Sequence, residues 1–263
     1  MGLLYSVYLD ASGKPETDAS LVVAGAVAPV KNWIRFERAW KSVLDDEGVS
    51  EFHATDFAAS QGEYRKWKGD RDRRASFLKR LREIIEKNVN RLFMVTVEIE
   101  AWNKVNRDYL LEEVFHSPYA LAGFSAVAQL RKWAKKKKIK SPVKIVFEEG
   151  DDGWDGLNEL CKREHVIPIR LPKQKAVPCQ VGDLVAWKIR IASTNSLRRL
   201  GSSPATVAEA EANLQGIKSE LESMEKALVR PGFIGVYGPN ALLRTCKKSN
   251  VPRRATIRPT TFI

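Results

Sequence analysis

Cysteine, histidine and methionine are scarce in this 263-residue chain, with three of each. Cys161, Cys179 and Cys246 are odd in number and form no C-x-x-C pair, which excludes a disulfide framework and a cysteine zinc site and points to a reducing, cytoplasmic compartment. No run approaches the roughly 18 apolar residues of a membrane span. The N-terminus lacks a basic leader and reaches a charged side chain at Asp10, unlike a signal peptide. Ser12-Gly13-Lys14 ends like a phosphate-binding loop, but Tyr8 stands where the first glycine is required. Gly123-Phe124-Ser125-Ala126 lacks the second glycine of a nucleophile elbow. Nucleotide-loop and serine-hydrolase chemistry are therefore unsupported, and sparse aromatics with net positive charge argue against a glycosidase.

Charge is abundant and uneven. Lysine and arginine number 44 against 32 acidic residues, a net charge of +12, yet residues 1–60 carry nine acidic and five basic side chains. The acidic N-terminal part and basic remainder suit a polyanion held over an acidic site. Three basic segments, Arg65 to Arg74, Lys135 to Lys140 and Arg244 to Arg258, are expected to supply that surface, at least two of them flanking one face. In Tyr64-Arg65-Lys66-Trp67-Lys68 aromatics alternate with cations, a pattern suited to stacking bases while neutralising phosphates; a solvated basic loop is the plain alternative.

Apolar periodicity predicts an α/β protein. Residues 4–10 and 21–28 read as a hairpin, 92–99 as a third strand, and Val143 to Phe147 and Val166 to Leu171 as later strands separated by helices. Trp33, Phe36, Trp40, Val43 and Leu44, then Phe77, Leu81, Ile84 and Ile85, fall at helical spacing. Further helices are expected over 119–138, 153–164 and from Cys179 onward, and residues 51–72 are too irregular to assign. Alternating strands and helices imply parallel pairing beside the hairpin, hence a mixed sheet. Residues 1–197 read as the main domain and 198–263 as a helical extension with a basic end. Apolar residues spaced three and four apart over 205–228 form a narrow seam that fits docking on the domain or a homodimer.

Acidic residues stand at the ends of two apolar strands, Asp10 after Leu4 to Leu9, and Glu148-Glu149 after Val143 to Phe147; Asp183 lies in an apolar helix. Carboxylates far apart in sequence and convergent in space are hard-oxygen ligands for Mg²⁺ or Mn²⁺ and suit phosphoryl transfer. Because side chains alternate across a strand, only one of Glu148 and Glu149 should face such a site, and Glu148 is preferred. The plain alternative makes Asp10 a turn cap and pairs Asp183 with a lysine or arginine. A cation site should lack such partners. His53 with Asp56 fits a proton relay or a backbone-bonded histidine; His116 and His165 have no partner motif.

As an ordered set, Asp10-Ala11-Ser12-Gly13, His53-Ala54, Phe147-Glu148-Glu149 and Gln180-Val181-Gly182-Asp183 resemble the DUF3800 family over residues 3–192. The resemblance implies an RNase H-like mixed sheet flanked by helices and a metal-dependent nuclease acting on DNA or RNA. It also implies that Asp10, Glu148 or Glu149, and Asp183 hold metal while His53 assists. Ala11 departs from the pattern, since the family carries glutamate there. An inactive RNase H-like nucleic-acid-binding module is accordingly the alternative.

Overall fold

The structure is a computed structural model that describes residues 4–199 and 233–254. Its centre is a mixed sheet of β1 (Tyr5–Ser12), β2 (Ser20–Pro29), β3 (Arg91–Glu98), β4 (Lys144–Glu148), β5 (Ile169–Leu171) and β6 (Phe233–Tyr237), in the order β5-β4-β1-β2-β3-β6. The first three strands pair antiparallel, while β4 runs parallel to β1, β5 to β4 and β6 to β3. All strands except β2 consequently end at the same edge. All ten residues of β2 are buried, as expected of a strand covered on both faces.

One face carries α1 (Val30–Glu47), α2 (Ala54–Ala59), α3 (Arg71–Asn88) and α8 (Cys179–Arg199). The other carries α4 (Ile99–Asp108), α5 (Leu111–Phe115), α6 (Pro118–Lys136), α7 (Trp154–Arg163) and α9 (Pro239–Lys248). In α1 the apolar stripe Trp33, Phe36, Trp40, Val43 and Leu44 is wholly buried, and α3 begins where Asp70 accepts the Arg73 backbone N–H. The segment over 51–72 holds α2 and a 3₁₀ turn, Gly62–Trp67. Among the described residues no helix is long and apolar enough to cross a membrane.

Three sequence expectations change. Strand β6 and helix α9 fall in the stretch assigned to an extension, yet β6 joins the sheet beside β3 and α9 packs on α4. Tyr64 and Trp67 are core residues, each 2% exposed, in edge-to-face contact with one another and with Phe57; they offer no platform for bases. The basic segments are also dispersed. Tyr119 at the start of α6 packs on Phe147, whereas Trp133 near its end meets Tyr5 at the start of β1, which puts Lys135–Lys138 at the sheet edge opposite Asp10. Residues 244–254 belong to α9 and its exit on the face away from α8. Among the described residues only the segment Arg65 to Arg74 borders α2, and residues 255–258 of the third lie outside them. The seam at 205–228 lies outside the described residues.

Helix α8 crosses β1 and β2 at Gly182, where a Cβ would stand 2.9 Å from the Ala24 carbonyl oxygen and from the Asp10 Cβ and backbone nitrogen. Two of those three neighbours are backbone and cannot yield by a rotamer change. Gly182→Ala should cost about 1–3 kcal/mol by overpacking, read as a lower denaturant midpoint with unchanged slope.

Candidate active site

Register brings the first two carboxylates abreast. Leu9 pairs with Phe147 in the parallel β1–β4 ladder, so the next residues, Asp10 and Glu148, lie side by side. Both are two residues on from side chains packed beneath α8, Tyr8 and Val146, and alternation turns them to that face. Gly182 lets α8 descend onto Asp10, and Asp183 follows at once. Asp10 and Asp183 are buried, and the Glu148 side chain is 13% exposed.

The same alternation resolves the paired glutamates. Glu149 is half exposed and 4.0 Å from Arg170, so it is removed from the set of candidate ligands. It applies equally to Ala11, which packs against the core on the α6 side of the sheet. A glutamate there would start from the face opposite Asp10, and Ala11 subtracts no carboxylate from the α8 face.

Gln180 and Asp183 hold the segment that carries His53. Residues 180 and 183 are one helical turn apart, and Phe52 and Ala54 are two apart on extended chain, so their N–H groups point the same way. The Gln180 Oε1 accepts from the Phe52 N–H at 2.9 Å and from the Trp40 Nε1–H at 2.7 Å, while the Asp183 Oδ2 accepts from the Ala54 N–H at 3.0 Å. Between them His53 faces outward, its Nδ1 3.0 Å from the Asp56 Oδ2. His116 lies 3.4 Å from Glu159, and His165 is exposed in a left-handed turn; both are remote from these contacts.

Two members of the cluster were not singled out from sequence. Lys173 places its Nζ 3.0 Å from the Asp183 Oδ2 and 3.6 Å from the Glu148 Oε1, contrary to the expectation of carboxylates without basic partners. Nothing in Leu171-Pro172-Lys173-Gln174-Lys175 distinguishes it from its neighbours. Asp151, from the acidic turn after β4, is the other. Its carboxyl is pushed up to about 6 by burial and by Asp152, against the pull of Arg170. Nothing local to the turn signals that Asp151 folds back toward the cluster.

Burial, followed by repulsion from Glu148, Asp183 and Asp151, holds the Asp10 carboxyl well above the usual range. Burial also lifts Glu148 to about 7, despite the opposing Lys173 charge. Burial lowers the Lys173 ammonium, yet Asp183, Glu148 and Asp10 together raise it beyond its ordinary value. One ammonium leaves the acids short of positive charge. Among the described residues no three His, Cys, Asp or Glu side chains are arranged tightly enough to hold a metal ion. The donor set is nevertheless all oxygen, as a hard cation requires, and the Glu148 Oε2 is buried without a hydrogen-bond partner.

No family model matches the chain, and no curated protein matches it significantly. Among solved structures it is similar to Bst-RNase HIII in complex with Mn²⁺, with 15% identity, a TM-score of 0.45 and coverage of 94% of this chain and 71% of that one. It is also similar to RNase HII from Archaeoglobus fulgidus, solved with PCNA, at 18% identity, a TM-score of 0.43 and coverage of 84% and 90%. Ribonuclease H2 from Pyrococcus horikoshii OT3 gives 15%, 0.42 and coverage of 85% and 88%. These overlaps assign no role to any residue of this chain.

A pH dependence follows from the raised carboxyls. The unfolded chain releases the Glu148 proton near 4.5 and the folded chain near 7. Between those values the unfolded state binds fewer protons, so the contribution of Glu148 to stability of the cation-free protein falls as pH rises from about 4.5 to about 7. Asp10 and Asp151 act in the same direction. Melting temperatures in EDTA should decline across this window, and Glu148→Gln should flatten the decline.

Proposed function

We propose that the chain is a phosphodiesterase acting on DNA or RNA, with a divalent cation, Mg²⁺ or Mn²⁺, held by Asp10, Glu148 and Asp183 in an RNase H-like fold. The observation that carries this reading is the gathering of buried, proton-retaining carboxylates at one sheet edge with a buried Glu148 oxygen left unpaired. Folding does not require such an arrangement, and burying mutually repelling acids destabilises a protein unless positive charge joins them. Bound there, the cation would supply Lewis acidity and lower the pKa of a coordinated water.

The residues around it have separable tasks. Asp183 ties the site to the His53 segment through the Ala54 N–H. With Nδ1 directed at Asp56, His53 exchanges a proton through Nε2 with the attacking or leaving oxygen. Exposed Arg65, Lys66 and Lys68 beside α2 meet backbone phosphates and make binding salt-dependent. A catalytically inactive nucleic-acid-binding module is the second reading, favoured by the Lys173 contacts with Asp183 and Glu148.

Purified protein incubated with single- and double-stranded DNA and RNA should cleave in Mg²⁺ or Mn²⁺ and stop in EDTA. Asp10→Asn and Asp183→Asn should each reduce turnover at least about a thousandfold, ~4 kcal/mol of barrier, while salt-dependent binding persists. Binding without metal-dependent cleavage, or cleavage by the asparagine variants at the wild-type rate, would establish the binding module instead.

A further inference from the structure

Lys173 is built into the acidic site rather than laid across its surface. Pro172 precedes it, and the 3₁₀ turn Lys173–Lys175 is closed by the Lys175 N–H to the Pro172 oxygen at 2.9 Å and the Ala176 N–H to the Lys173 oxygen at 3.0 Å. Ala176 and Cys179, just beyond, are buried under β4. The side chain is 13% exposed, and its Nζ lies between the Asp183 and Glu148 carboxylates.

Paired divalent cations in phosphoryl-transfer sites sit about 4 Å apart on shared carboxylates. An ammonium seated on two such carboxylates fills the place of one member of the pair, and its charge opposes entry of a second divalent ion there. We infer that this site takes a single divalent cation and that Lys173 is the other positive centre, set to meet a non-bridging oxygen of the phosphodiester. The Glu148 Oε2, buried and unpaired, would be available to hold the single ion. A point charge with three donors suits a phosphoryl oxygen, and the fixed turn keeps it from relaxing when substrate binds. The inference rests on the cation-site reading above.

Manganese binding tests it without reference to activity. Titrated with Mn²⁺ and followed by EPR, the wild type should bind one ion per chain with an uncoupled spectrum, as should Lys173→Arg. Lys173→Met and Lys173→Gln, checked for folding by thermal melting, should bind two ions and show the spin coupling of a close pair. A coupled pair in the wild type overturns the role of Lys173 while leaving a metal-dependent site, whether or not the variants fold. One ion in folded Lys173→Met and Lys173→Gln overturns it as well. No Mn²⁺ bound to the wild type removes the cation-site reading and this inference together.

Discussion

The approach of α8 to β1 at Gly182 is the constraint on which the remaining geometry depends. A helix and a strand ordinarily keep the distance their side chains impose; here no Cβ intervenes and the Asp10 backbone touches the helix. From that contact the α8 residues take their partners by turn. Gln180 reaches the Phe52 N–H and the Trp40 indole, Asp183 reaches the Ala54 N–H, and two turns on Arg190 bonds the Ser12 hydroxyl at 3.0 Å and pairs with Asp18 at 2.7 Å. A single face of one helix thus sets the β1–β2 hairpin, the end of β1 and the His53 segment relative to one another. Moving α8 outward would separate Asp183 from Asp10 and loosen the loop that carries the histidine.

That closeness has an electrostatic cost. Two like charges 4 Å apart repel by about 4 kcal/mol at an effective dielectric of 20, while an entire domain is stable by only ~5–15 kcal/mol. Four ionised acids in one partly buried site would consume much of that margin. The fold answers in two ways: Lys173 adds one positive charge, and Asp10, Glu148 and Asp151 keep their protons to higher pH than free carboxyls. The apolar layers on both sides of the sheet carry the remainder. Fully buried β2 contributes to both cores, Leu21, Val23 and Val27 to one and Val22, Ala24, Ala26 and Ala28 to the other.

The elements legible in the sequence were those whose burial has a period. The α1 and α3 stripes follow from 3.6-residue spacing, and the β1–β2 hairpin from the two apolar runs at 4–10 and 21–28. Helix α5, Leu111–Phe115, was not assigned because it is too short for the pattern to repeat, and α4, Ile99–Asp108, because it follows β3 with no intervening turn and its first apolar residue reads as the end of that strand. The Tyr64–Trp67 turn misled for a different reason: composition does not say which side of an amphipathic ring is dry, and both rings are enclosed by Phe57 and Phe77. At the site, the strand-end acids were visible because strand geometry positions them, while the Gln-x-x-Asp spacing entered only through the family resemblance. Lys173 was not, because its importance comes from contacts with residues 10 and 25 positions away in sequence.

The departure at Ala11 shows why the face of a strand matters more than the length of a motif. Read along the chain, an alanine in place of a second acid looks like a lost ligand. In the sheet, Asp10 turns toward α8 and residue 11 toward the core beside α6. The charge balance of the cluster is set by Asp10, Glu148, Asp151 and Asp183 against Lys173, and residue 11 is not a term in it. The one basic side chain in that balance is Lys173, whose ammonium meets both Asp183 and Glu148 and therefore sets how much negative charge the cluster retains.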